Sequence, residues 1–193
     1  MTATLPLVQI ALAIAALGQP SSPPAPAPRH EFQFLAGYSP VSATVIGTAT
    51  DRRFVVAGLV YSYTFWQSRE ASIAYSAAVL PVSVVLEPDH AVYGFGVMPL
   101  GFVFNFHHQA RVHPFAEMLG GILASTEPVP LEAPDATGLN FMFDIGGGIR
   151  WKPARNRAFI AGYKFLHISN AGTTRFNPGL DNNVFYVGFA FLR

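Results

Sequence analysis

From Glu31 onward, large apolar residues fall on alternate positions over stretches that are broken by clusters of Gly, Pro, Asp and Asn. A period of two belongs to a strand whose two faces meet different surroundings. It is clearest toward the end of the chain. Leu139, Phe141, Phe143, Ile145, Ile149 and Trp151 share one parity, against Asn140, Met142, Asp144, Gly146, Gly148 and Arg150 on the other. Phe185, Val187, Phe189 and Phe191 likewise oppose Tyr186, Gly188 and Ala190. Eight segments follow this plan: Glu31 to Ser39, Arg53 to Phe65, Ala71 to Leu86, Val92 to Phe106, Val112 to Ala124, Leu139 to Lys152, Ala158 to Asn170, and Asn182 to Leu192. Most reach the length of about 9 to 11 residues that a tilted strand needs to cross a bilayer.

Large apolar side chains on one face, with small or polar ones and scattered charges on the other, describe a barrel that meets lipid outside and is filled by side chains inside. The expected fold is therefore all-β, an eight-stranded antiparallel transmembrane β-barrel over residues 31–193. Asp144, Arg150, Lys164 and Glu117 then point inward and pair with one another, because a charge in so tight an interior needs a neutralising partner. The fourth segment breaks the pattern, since Phe102, Phe104 and Phe106 have the parity opposite to Tyr93, Phe95 and Val97. A bulge or bend near Pro99-Leu100-Gly101 restores the register.

Composition narrows the class. At 51% hydrophobic and 12% charged, the chain is more apolar than an ordinary soluble domain, in which about 25% of residues are charged. No run of about 20 apolar residues lies beyond the N-terminal region, so helical membrane spans are not expected. A net charge of +1 with no basic stripe argues against a nucleic-acid partner, and the absence of cysteine removes disulfide and thiolate chemistry. Leu5 to Leu17 is a short apolar core, followed by the small-x-small pattern Ala16-Leu17-Gly18. These features predict a signal peptide over residues 1–18, although its first residues carry no Lys or Arg. Residues 19–30, with Pro20, Pro23, Pro24, Pro26 and Pro28 among Ser and Ala, read as an extended linker.

Loop lengths orient the barrel. Trp66 to Glu70, His107 to Arg111 and Pro153 to Arg157 are short, whereas Pro40 to Arg52, Ser125 to Gly138 and Ala171 to Asp181 are long. Outer-membrane barrels keep short turns in the periplasm and long loops outside, so the seventh segment ends at the outer surface. Its apolar row of Phe159, Ala161, Tyr163 and Phe165 finishes in His167 and Ser169. Side chains two apart share a face roughly 7 Å apart along a strand, within reach of an imidazole. A polar pair at the end of a lipid-facing row is where an enzyme acting on a membrane lipid would carry its nucleophile.

The run His167-Ile168-Ser169-Asn170-Ala171, with Asn177-Pro178-Gly179 and a final aromatic strand after it, resembles the lipid A 3-O-deacylases (PagL-type), small eight-stranded outer-membrane barrels. The likeness is close over the C-terminal part and elsewhere rests on the strand count. It implies that His167 is a general base and Ser169 a nucleophile, and that Asn170, with backbone N–H groups such as that of Gly172, stabilises the oxyanion. Asn170 has the parity opposite to His167 and Ser169. Its amide therefore points inward unless the pleat ends there, and otherwise its backbone N–H must donate. Where the family has a Glu, this chain has Asp181, one methylene shorter. Two readings of Asp181 stand: an acid that orients the imidazole, or a turn residue bonding its own backbone after Pro178-Gly179.

The function so implied is an outer-membrane serine esterase that removes an ester-linked acyl chain from lipid A in the lipopolysaccharide leaflet, with no cofactor. Arg175, like Arg52 and Arg53, lies in or beside an outer loop, where a guanidinium suits lipid A phosphates and also suits plain solvation. His107, His108 and His113 flank a periplasmic turn without a carboxylate at ligand spacing, so no metal site is expected. The alternatives are an outer-membrane phospholipase and a non-catalytic barrel with a structural or binding role.

Overall fold

The alternating segments form strands in the computed structural model, which describes residues 28–193. The predicted signal peptide and the linker up to residue 27 lie outside the described residues. The strands are β1 (His30–Ser39), β2 (Ser42–Ala43), β3 (Arg53–Gln67), β4 (Ala71–Leu86), β5 (Ala91–Phe106), β6 (Val112–Val129), β7 (Thr137–Ala154), β8 (Arg157–Ser169) and β9 (Gly179–Leu192). The long strands pair antiparallel with their neighbours in sequence, and β1 also pairs with β9, placing Phe34 opposite Phe189. The eight long strands thus close into a barrel with no free edge, as a backbone surrounded by lipid requires. The two-residue β2 lies outside that circuit, on the outer end of β9.

Burial follows the pleat. In β7 the odd-numbered apolar residues from Leu139 to Ile145, then Ile149 and Trp151, are exposed to what would be lipid, while Asn140, Met142, Asp144 and Arg150 are buried. The parity change in β5 falls at Pro99 and Leu100, which are both exposed, and the register against β6 shifts between Val97 and Leu100. This bulge returns Phe102 to the outer face.

Inside, Lys164 Nζ lies 2.9 Å from Asp144 Oδ2 and 3.8 Å from Glu117 Oε1, and the Tyr186 hydroxyl donates to Glu117 at 2.7 Å. Arg150 departs from the expectation that the four ions satisfy one another. Its Nη1 donates to Glu31 Oε1 at 2.7 Å, a partner that reaches it from β1 across the closed interior.

The outer connections also differ from the prediction. Strand pairing extends β6 to Val129 and starts β7 at Thr137, which leaves residues 130–136 as the third outer loop. The β4–β5 connection, residues 87–90, is short although it lies at the outer end. Its Glu87 holds the rim together: the carboxylate pairs with Arg52 of the first loop and accepts from the Leu131 N–H of the third at 3.0 Å.

Candidate active site

β8 and β9 pair in a register that sets His167 opposite Asp181 and Ser169 opposite Gly179. Odd positions face outward on both strands, so the pleat alone places His167, Ser169 and Asp181 on the outer wall of the barrel. Directly opposed side chains in an antiparallel pair lie close enough for a hydrogen bond. His167 Nδ1 is 2.6 Å from Asp181 Oδ1, and His167 Nε2 is 2.9 Å from Ser169 Oγ.

The partners fix the tautomer. An ionised carboxylate only accepts, so Nδ1 carries the proton and donates it to Asp181. Nε2 is then a lone-pair acceptor for the Ser169 hydroxyl. This is the hydrogen-bond order of a nucleophile, its base and the acid that orients the base.

Asp181 is a strand residue, which corrects the reading of it as a turn residue and shortens the expected connection from Ala171 to Asp181. Pairing with β8 on one side and β2 on the other carries β9 out to Gly179. The second carboxylate oxygen of Asp181 accepts three successive backbone N–H groups, from Val45 at 2.8 Å, Ile46 at 2.7 Å and Gly47 at 2.8 Å. Together with the imidazole they satisfy a charge that is fully shielded from solvent. The same loop is fixed to β9 by the N–H groups of Thr48 and Ala49, which donate to the Gly179 carbonyl at 2.9 and 3.1 Å. Two glycines permit this contact. A methyl group on Gly179 would lie 2.7 Å from His167 Cε1, and one on Gly47 would run into the Gly179 carbonyl oxygen.

Asn170 keeps its parity and turns inward, where it is almost wholly buried. Its amide nitrogen donates to Thr174 Oγ1 at 2.6 Å, to the Phe176 carbonyl at 2.9 Å and to the Asp135 carbonyl at 3.1 Å. Its amide oxygen accepts the Gly172 N–H at 2.9 Å. This inward position is the one its parity predicts, and the side chain is committed to shaping its own loop and tying it to the third. Ala171 and Gly172 turn the chain sharply there, with φ of 52° and 77°. Arg175 is exposed on the same loop, its guanidinium 5.3 Å from the Phe176 ring centre. Arg52 is occupied by Glu87 and by the Thr50 carbonyl, so the rim takes it up structurally. At the periplasmic end His107 pairs with Glu70, and His108 contacts the Ser68 carbonyl.

The three N–H donors of the first loop were not foreseen. Every residue but proline carries that donor, so Gly47 is the single sequence trace of their use.

Fold and site together define a class, a small outer-membrane barrel with serine, histidine and acid in hydrogen-bonded order on its outer wall. More narrowly, the chain belongs to the lipid A 3-O-deacylase (PagL) family, whose profile matches residues 55–190. Among solved structures, the crystal structure of the outer membrane enzyme PagL aligns with a TM-score of 0.61 at 19% identity, covering 82% of this chain and 97% of that one. Neisserial surface protein A (NspA) aligns with a TM-score of 0.54 at 12% identity, covering 84% and 96%. At these identities the likeness is one of fold. No curated protein matches the chain. Family and barrel place the protein in the outer membrane.

Proposed function

We propose that this protein is a lipid A deacylase in which Ser169 attacks an ester-linked acyl chain, the one at the 3 position that the family's name specifies. The observation that carries the reading is the single imidazole bridging Ser169 at 2.9 Å and Asp181 at 2.6 Å on the lipid-facing wall. An acyl ester embedded in the outer leaflet would reach this face without leaving the bilayer.

In the first half-reaction His167 Nε2 takes the hydroxyl proton as Ser169 Oγ bonds to the ester carbonyl carbon. Asp181 stabilises the imidazolium so formed. Collapse of the tetrahedral intermediate breaks the bond to the sugar oxygen, which receives the proton from Nε2 and leaves an acyl-serine. Water then repeats the sequence: His167 takes its proton, the hydroxide adds to the acyl carbon, and the fatty acid departs as Ser169 recovers its proton. The intermediate's oxyanion would be met by backbone N–H groups of the turn at residues 170–172. The Gly172 N–H would exchange its bond to Asn170 Oδ1 for the developing charge, and Asn170 would act by holding the turn. Arg175, exposed on the same loop, would attract the lipid A phosphates.

Mass spectrometry of lipid A from cells producing the wild type or Ser169→Ala tests the proposal. Loss of one acyl chain with the wild type alone is the expected result. Identical acylation in both would overturn it, and release of fatty acid from purified glycerophospholipid instead would move the substrate to that class.

A further inference from the structure

We propose that the first outer loop, through its backbone at residues 45–47, is a positioning strap that holds the carboxylate of Asp181 against His167. The proposal rests on the Ser169, His167 and Asp181 reading above and assigns that site a part the strands do not supply. Asp181 reaches His167 with Oδ1 alone, and its carboxylate would otherwise be free to rotate about its last bond. Three convergent N–H donors on Oδ2 remove that freedom. Consecutive backbone N–H groups form a concave cradle for an anion.

The strap is anchored at both ends. On one side β2 pairs Ala43 with Asp181 and Ser42 with Asn182. On the other, Thr48 and Ala49 bond the Gly179 carbonyl, and Arg52 is held by Glu87, which also fixes Leu131. Val45 and Ile46 turn their side chains outward and are largely exposed, so their part in the site is played by main-chain groups. A short acid therefore serves here because the backbone comes to it.

Gly47→Ala is the direct perturbation, since its methyl group cannot coexist with the Gly179 carbonyl in the present contact. Val41→Ala, an exposed position on the same loop outside residues 45–47, serves as the control. Folding is checked by the heat-dependent gel mobility of the barrel in detergent. Two readouts follow for each folded variant. The first needs no substrate: the low-field proton resonance of the His167 Nδ1–H bond, present in wild type and Val41→Ala, should be lost or broadened in Gly47→Ala.

The second is kinetic. Gly47→Ala should lower kcat at least about tenfold with KM changed less than about threefold, the pattern of a defect confined to the chemical step. In an Asp181→Asn background the same substitution should change kcat by less than about twofold, because its effect passes through the acid that is already gone. A Gly47→Ala protein that keeps both resonance and rate overturns the strap, as does an equal loss in both backgrounds. If the wild type proves inactive on lipid A while the resonance still depends on Gly47, the deacylase reading fails and the strap stands. Should Gly47→Ala not fold, Glu87→Ala loosens the same loop from its far end, and retention of full rate and resonance there would also overturn the proposal.

Discussion

Two buried carboxylates in this barrel are satisfied in opposite ways. Asp144, in the interior, faces the permanent cation of Lys164 at 2.9 Å, with Glu117 close by. Asp181, at the rim, faces no permanent cation among the described residues: it accepts from three amides and one imidazole. The difference separates holding from responding. An ion pair of fixed sign is complete in the resting protein and gains nothing from further charge nearby. A carboxylate held by neutral donors has its attraction to an imidazolium still unspent, and releases it only when His167 takes a proton. The interior therefore keeps the barrel together, and the rim is the region to which the proposed reaction assigns that attraction.

Breaking the charge arrangement in each region should separate the two roles. Asp181→Asn is the larger perturbation. The amide oxygen can still accept the three backbone N–H groups, so the fold should be kept, but the favoured tautomer and the stabilisation of the imidazolium are lost. The expected fall in kcat is about 10³- to 10⁴-fold, as for the corresponding change in a serine-protease triad. Comparing steady-state deacylation with urea unfolding would show it, and a rate within tenfold of wild type would remove Asp181 from the mechanism.

In the interior, Lys164→Met strands Asp144 and should cost about 3–5 kcal/mol of stability. Activity per folded molecule should stay near wild type, because Lys164 occupies the even, inward parity of β8 while His167 and Ser169 occupy the odd one. Urea titration followed by tryptophan fluorescence, with the rate normalised to the folded fraction, checks both halves of the claim.

The two regions were not equally legible in the sequence. Parity alone carried His167 and Ser169 to the outer face, and it placed the Asn170 side chain inward, away from the role the family resemblance implied. Asp181 has the same odd parity as Phe185 and Val187, but Pro178-Gly179 reads as a turn, and only β8 and β2 flanking it show that pairing continues to Gly179. Side-chain type announces the ions Arg150 and Lys164, whereas barrel closure chose Glu31 as the partner of Arg150, a choice that depends on how strand ends meet across the lumen. The strap left almost no trace, since residues 45–47 act through groups common to nearly every amino acid. Pattern thus revealed which way side chains point, and tertiary closure decided what they meet.

The smallest expected effect tests whether the rim depends on the turn geometry beside Ser169. Gly172 has φ of 77° and nothing within 4 Å of where a Cβ would stand, so the obstacle to a side chain there is conformational and not steric crowding. Gly172→Ala should cost about 1–2 kcal/mol, the ordinary penalty of the left-handed region. Gly172→Asn should cost less, because Asn enters that region more readily than Ala. Since the Gly172 N–H also closes onto Asn170 Oδ1, relaxation of the turn would move the proposed oxyanion donors away from Ser169. Deacylation by Gly172→Ala should therefore fall further than by Gly172→Asn, in the same order as their stabilities. Equal rates for the two, with Ala the less stable, would separate the turn's conformation from the chemistry at Ser169.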